Sequence, residues 1–323
     1  MKILSSLILI STIILTTNYN LLFKIPEAEI TNGIIKVKIY LPDAENGYYR
    51  GSRFDWSGVI PDLEYKGHSY YGKWFHKYSP TNHDAIMGPV NDFAPLGYET
   101  AKVGESFVKI GIGVLVKPEE PRYSIVTPYK IINHGDWKIN KKSYQIEFIQ
   151  KIEDKDYSYE YKKLVNLPKG KSQLVLEHSL KNTGNKTIKT SVYNHNFLMI
   201  DEQPVDSNYV IKFPFELSGK MKGADTIAFI DNNQIKYKRQ LLKKENAYFT
   251  DLYGFGDTAR DYEIIVENRA SKAGVNISGN RALSRLVFWS ASTTVCPEPY
   301  ININVEPGRT FKWKIVYNYY IID

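Results

Sequence analysis

The sequence predicts an all-β protein, built as a large antiparallel sandwich of two sheets. Three observations lead to this fold class. Apolar and polar residues alternate with a period of two in several segments, clusters of Gly, Pro and Asn separate these segments, and no segment longer than about three turns carries a helical stripe. With 323 residues, 43% of them apolar, the chain can build such a sandwich as one domain, which we place at residues 23–323.

The strand pattern begins at residues 35–41, where apolar side chains take every second position. It recurs at residues 174–180 and 311–317, each with one apolar and one more polar face. Turn-forming residues occur at residues 182–185, just after the second segment, and at residues 306–308, shortly before the third. We therefore expect antiparallel strands joined by short turns, with one face of each sheet in the core.

The first 22 residues have a different character. Lys2 precedes an apolar run at residues 3–15, which is short for a membrane span and typical of a secretion signal. No A-x-A cleavage site and no nearby cysteine accompany it, so an uncleaved N-terminal anchor is the alternative interpretation. We expect an exported protein, periplasmic or extracellular, that meets the membrane at most through this segment.

Composition argues against several functional classes. The net charge of +7 comes from scattered lysines rather than basic clusters, so nucleic acid is not an expected partner. A phosphate-binding glycine loop, an HExxH motif and a CxxC motif are all missing, and Cys296, the one cysteine, cannot form an intramolecular disulfide. The six histidines have no local metal-ligand spacing, so we expect neither a metal nor a cofactor.

Two segments carry candidate chemistry. Residues 191–197 have a strand pattern that puts His195 on one face with Tyr193 and Phe197, and an imidazole among aromatic rings suits a sugar cleft; a structural histidine is the alternative. Glu298 stands between two prolines, which fix the backbone and remove its amide donors, as an oriented base requires. An exposed turn glutamate is the alternative for Glu298.

These segments resemble the galactose mutarotases, or aldose 1-epimerases. Residues 193–197 are similar to the histidine strand of that family, and residues 297–299 to its C-terminal catalytic glutamate strand. Runs at residues 50–58 and 107–115 resemble an uncharacterised bacterial branch with an export signal. The resemblance implies the mutarotase-like supersandwich and a sugar, either a monosaccharide or an oligosaccharide, as the partner.

The resemblance also implies roles for individual residues. Mutarotation opens a sugar ring by acid–base catalysis, with Glu298 as the base and His195 as the acid, and needs no cofactor. The irregular block at residues 48–98 is expected to supply further contacts, because loops on a rigid sheet often carry binding groups. The candidate substrate-binding residues are Arg53, Asp92, Asp225, His83, Trp56, Trp74 and Asn194.

One position departs from the family pattern. Met87 stands where the family has its first catalytic histidine, and His83 or the pair Asn91 and Asp92 could supply the missing polar group. A thioether cannot exchange a proton. The alternatives to a mutarotase are therefore a non-catalytic carbohydrate-binding protein and, on fold analogy, a polysaccharide lyase or hydrolase.

Overall fold

The computed structural model of the protein describes residues 24–222 and 226–323. The leader expected at residues 1–22 and the candidate residue Asp225 lie outside the described residues. Within the described ranges, no helix is long and apolar enough to cross a membrane.

In the part of the chain that the structure describes, strands account for nearly all of the regular structure, with two short 3-10 helices at Ile200–Glu202 and Ala259–Asp261. The first twelve strands are β1 (Glu27–Thr31), β2 (Ile35–Tyr40), β3 (Val59–Tyr65), β4 (His68–Ser69), β5 (Val90–Phe93), β6 (Ser106–Lys109), β7 (Gly113–Val116), β8 (Ile131–Asn133), β9 (Asp136–Lys141), β10 (Gln145–Ile152), β11 (Tyr159–Asn166) and β12 (Gln173–Asn182). The remaining strands are β13 (Ile188–His195), β14 (Tyr209–Lys212), β15 (Ser218–Met221), β16 (Ala228–Asp231), β17 (Gln234–Tyr237), β18 (Ala247–Tyr253), β19 (Glu263–Asn268), β20 (Ala273–Gly279), β21 (Arg285–Ala291), β22 (Thr294–Val305) and β23 (Thr310–Ile321).

Two large antiparallel sheets dominate the architecture. Ten strands form one sheet in the order β16-β17-β14-β19-β20-β23-β12-β11-β10-β9, and six form the other in the order β15-β18-β21-β22-β13-β5. Two smaller sheets, β1-β2-β3-β4 and β6-β7-β8, add to this pair. The predicted all-β class is confirmed, and the three predicted segments lie in β2, β12 and β23, of which the last two pair with each other.

The core lies between the two large sheets. Val192 and Ile301 from the six-stranded sheet belong to the same buried cluster as Leu176 and Ile315 from the ten-stranded sheet. Strand alternation sends residues of one parity to this interface and residues of the other parity to the opposite face. The six-stranded sheet therefore has a second face that is available for a site, which we call its outer face.

A second apolar cluster covers part of this outer face. It includes Phe54 and Met87 from the irregular block together with Phe107 and Phe197. The backbone amide of Asp55 donates to the carbonyl of Asn91 in β5, which fastens this part of the block to the edge strand of the sheet. The irregular block thus packs where it can supply side chains to the outer face.

Candidate functional site

Strand register brings His195 and Glu298 side by side on the outer face. β13 pairs with β22 so that Tyr193 is opposite Tyr300. Two residues further along the same antiparallel register, His195 comes next to Glu298, and the distance from His195 Nε2 to Glu298 Oε1 is 3.3 Å. Both side chains are nearly buried, at 4% and 6% exposure, and both line a cleft of about 810 Å³.

The next cross-strand row of the sheet is polar. Tyr193 lies between Asp92 of β5 and Tyr300 of β22, and Arg285 of β21 follows Tyr300. The rings of Tyr193 and Tyr300 stack with their centroids 4.3 Å apart. All four side chains line the cleft, because residues directly opposite one another in an antiparallel ladder share a face.

Arg53 ties this row to the irregular block. Its guanidinium bonds to Asp84, to Asp92 with Nε 3.3 Å from Oδ2, and to the Tyr193 hydroxyl at 3.1 Å. Lys109, which is fully buried, holds the other oxygen of Asp92 at 2.8 Å. Two cations therefore face two carboxylates, so each buried charge has an opposite charge in contact that offsets part of its desolvation.

Aromatic rings enclose the imidazole of His195. Phe197 stacks on it at 3.8 Å, and Trp74 stacks on Phe197 at 5.1 Å. Phe54 and Trp289 approach edge-on at 5.6 and 5.8 Å. Phe197 has a φ of +32°, in the region that non-glycine residues rarely adopt, and such local strain is often found at functional sites.

Burial shifts the two pKa values in opposite directions. Burial raises the pKa of Glu298 to about 8; the Arg53 guanidinium opposes that rise and the Asp92 carboxylate adds to it. Burial also lowers the pKa of His195 well below its ordinary value, and Arg53 lowers it further. At neutral pH the pair therefore consists of a protonated carboxyl and a neutral imidazole. The titrating proton then sits on the carboxyl, and Glu298 Oε1 is 3.3 Å from His195 Nε2.

Three of the predicted substrate-binding residues line the cleft beside the pair: Arg53, Asp92 and Trp74. His83 is not among the lining residues. Its Nε2 lies 2.8 Å from Asp84, so it supports the carboxylate that holds Arg53 instead of facing the cleft.

Two other assignments are corrected by the structure. Asn194 points to the core side of β13, where it accepts a bond from Asn91 and donates one to the Tyr317 hydroxyl, each at 2.8 Å. Asn194 faces the core because neighbouring residues in a strand point to opposite faces of the sheet, and His195 faces the cleft. Trp56 is buried in the second apolar cluster with its indole N–H bonded to the Gly51 carbonyl, and it does not line the cleft.

Met87 offers no polar group to the site. It is 3% exposed and packs within the second apolar cluster. Of the two replacements expected for the missing histidine, Asp92 is in the cleft and His83 is behind it. Asn91 faces Asn194 on the core side.

Sequence analysis missed several cleft residues. The strand pattern placed Tyr193 on the face of His195, and the same period-2 alternation could have identified Tyr300, two residues after Glu298. Lys109 does not line the cleft but holds Asp92 from behind it, and its place within an apolar run is itself a signal of a buried, paired charge. The further lining residues include Asp84, Tyr123, Tyr248, Arg285 and Trp289.

The cleft brings together groups that can accept and donate protons. Among the residues that the structure describes, no group of three or more His, Cys, Asp and Glu side chains is placed to hold a metal ion. What the cleft does contain is a contacting acid–base pair, a charged network that can hold hydroxyl groups, and aromatic walls.

The sequence matches no protein-family model and no curated protein. Its fold, however, has counterparts among solved structures. An aldose epimerase homologue from C. elegans superposes with a TM-score of 0.57 at 12% identity, over 93% of this chain and 100% of that one. The chain has the galactose mutarotase-like fold.

Two bacterial structures agree with this mutarotase-like fold. A galactose mutarotase related enzyme from Lactobacillus acidophilus gives a TM-score of 0.52 at 13% identity, over 92% of this chain and 98% of that one. A galactose mutarotase-like protein from Lactobacillus casei gives 0.51 at 11% identity, over 91% and 100%. At these identities the likeness covers the architecture, and the chemistry must be argued from the site itself.

Proposed function

We propose that the protein is an aldose 1-epimerase, which interconverts the anomers of a free sugar by opening and reclosing its ring. The observation that carries the proposal is the contact of His195 with Glu298, at 3.3 Å, within a cleft that also presents a charged network and aromatic rings. Sugar sites combine such apolar surfaces with a few fixed polar groups.

The chemistry needs two groups close together. The anomeric hydroxyl oxygen and the ring oxygen of a hemiacetal are bonded to the same carbon, so two side chains in contact can reach both. In ring opening, His195 takes the proton of the anomeric hydroxyl and Glu298 gives its proton to the ring oxygen as the ring C–O bond breaks. Rotation about the C1–C2 bond followed by the reverse transfers gives the other anomer and restores the pair.

This direction reverses the assignment made from sequence. The resemblance gave Glu298 the role of base and His195 that of acid. The pKa of Glu298 is raised and the pKa of His195 is lowered, which favours a protonated carboxyl and a neutral imidazole at neutral pH. The return half of the reaction uses the opposite direction, so each residue serves in both roles during one turnover.

The surrounding groups would hold the sugar in place. Arg53, Asp92 and Tyr193 are fixed by bonds to one another and offer donors and acceptors to hydroxyl groups. Trp74 and Trp289 pack edge to face at 5.3 Å and supply apolar surface for the C–H faces of a pyranose. A network that is already ordered lowers the entropy cost of binding.

The test is the rate of anomer exchange. We expect the purified protein to accelerate the exchange of freshly dissolved aldoses, followed by polarimetry or NMR exchange spectroscopy. Glu298→Gln and His195→Asn should each lower the rate by about 10²- to 10⁴-fold while sugar affinity changes little. Glu306→Gln, in the exposed turn after β22, is the matched control and should keep the rate.

The buried Met87 supports a second candidate, a carbohydrate-binding protein without catalysis, since it leaves the family's first histidine position without a proton-transferring group. In that case calorimetry would detect sugar binding while no aldose of a broad panel exchanges faster. A hydrolase is less well supported, because both oxygens of Asp92 are held by Arg53, Tyr193 and Lys109 and neither is a free nucleophile.

The proposal extends to location. The apolar run at residues 3–15 after Lys2 supports export, so the sugar would be met outside the cytoplasm. N-terminal sequencing of the protein recovered from a bacterial periplasm distinguishes a cleaved signal from a retained anchor.

A further inference from the structure

The cleft is larger than one sugar requires. A liquid gives each water molecule about 30 Å³, so a hexose of about 12 non-hydrogen atoms needs at most about 360 Å³. The cleft volume is about 810 Å³, more than twice that upper bound. The space that remains after one pyranose sits at the His195–Glu298 pair can hold a second.

Part of the remaining space lies at one end of the outer face. Beyond Asp92 and Tyr193, the outer face continues to Ala94 and Ser191, whose backbones are joined by the bond from Ala94 N to Ser191 O at 2.9 Å. Ser191 lies on the same face of β13 as His195 and four residues before it, about 13 Å away at about 3.3 Å per residue. The small side chains of Ala94 and Ser191 leave this end open.

The far wall of this space is formed by apolar and aromatic side chains, which suit the face of a sugar ring. Ile125 lines the cleft and is 42% exposed, an apolar side chain left uncovered at its rim. Beside it, the Tyr123 ring is fixed by stacking on Tyr129 at 5.2 Å and by the Lys109 ammonium, which donates to its hydroxyl at 2.7 Å. Rigid aromatic and apolar surfaces with few charges bind uncharged sugar rings.

From this geometry we infer that the substrate is a short oligosaccharide, with its reducing sugar at His195 and Glu298 and its next sugar in the outer part of the cleft. The outer part is defined by Ala94, Pro95, Tyr123, Ile125 and Ser191. The inference rests on the proposed function, because a free hemiacetal at the pair requires the reducing end to point inward. It adds that the reducing unit carries a further sugar.

The test compares sugars of two lengths. Calorimetry measures the affinity for glucose and galactose and for the disaccharides maltose, cellobiose, lactose and melibiose. NMR measures the rate of anomer exchange at the reducing end of each sugar. We expect at least one disaccharide to bind about tenfold more tightly, or more, than its own reducing monosaccharide. Equal affinity for every disaccharide and its monosaccharide overturns the inference.

Two variants locate the second sugar. Ser191→Trp fills the outer part and should bring the ratio of disaccharide to monosaccharide affinity to about one. Ile125→Ser, on an exposed loop, should lower the ratio about threefold or more without any change to the sheet. Ser179→Trp, on the face of the ten-stranded sheet that points away from the core, is the matched control and should leave the ratio as it is. If both cleft variants keep the wild-type ratio of disaccharide to monosaccharide affinity, the second sugar does not lie in the outer part.

The outcomes separate the two proposals. Faster exchange of monosaccharides without a preference for disaccharides keeps the proposed function and removes the inference. A disaccharide preference without any acceleration of exchange keeps the oligosaccharide site and removes the epimerase. No binding of either length removes both.

Discussion

Replacement of Glu298 by Gln should change protein stability in a pH-dependent way. The pKa of Glu298 is about 8 in the folded protein and 4.5 for an ordinary glutamate. Between these values the unfolded chain has released the proton while the folded protein still holds it, so the free energy of unfolding falls as the pH rises. The loss is about 1.4 kcal/mol per pH unit.

The span from pH 4.5 to pH 8 is 3.5 units, and it corresponds to a loss on the order of 5 kcal/mol. Glutamine has no proton to lose, so Glu298→Gln escapes this loss. We expect the variant and the wild type to be similar in stability near pH 4.5 and the variant to gain steadily up to pH 8. Loss of catalysis together with a gain in stability is the pattern of a residue kept for function.

The assay is urea unfolding of both proteins at half-unit steps from pH 4.5 to 8, with the difference in unfolding free energy plotted against pH. Every other titrating group cancels in that difference. Glu306→Gln, at an exposed turn, should differ from wild type by no more than about 0.5 kcal/mol across the range. A difference for Glu298→Gln that does not vary with pH would refute both the raised pKa and the acid role derived from it.

Three further predictions follow from the same contacts. In a pH–rate profile, the mutarotation rate should be constant through neutral pH and should fall above about pH 8, as Glu298 loses its proton. On the acid side, the rate should fall only well below pH 6.5, because the pKa of His195 is lowered. Arg53→Met removes a cation that lowers both pKa values, so the alkaline limb should move to higher pH, and an unmoved limb would contradict the electrostatic coupling. Met87→His should cost about 1–3 kcal/mol in urea unfolding because its ring would be buried without a partner, whereas Met87→Leu should cost less than about 1.5 kcal/mol.

The fold was predictable because its signals are local. A period of two over six or seven residues is enough to identify β2, β12 and β23 and the face each one buries. Which strands become neighbours is not local. The strand orders of the two large sheets, in which β12 pairs with β23 and β13 with β22, follow from long-range pairing, which a single sequence does not encode in any short window.

The site was predictable in part, for the same reason. The family-like segments pointed to His195 and Glu298, but their contact depends on the register of β13 against β22 across about a hundred residues. Asn194 could have been excluded from the sequence alone, since a strand that turns His195 outward must turn Asn194 inward. Trp56 could not, because the irregular block has no period from which to read side-chain direction.

The position of Met87 is consistent with a site that needs two proton-transferring groups rather than three. In the proposed mechanism, both ring-opening transfers are completed by moving the proton of Glu298 and one proton from the sugar. Arg53 and Lys109 balance Asp84 and Asp92, so the surroundings already fix the charge on the pair. An imidazole at this position would be buried in the apolar cluster without a polar partner, which costs stability. On this argument, the methionine keeps the apolar cluster beside the pair intact, and in the proposed function the polar contacts to the sugar would come from the row of Asp92 and Tyr193 instead.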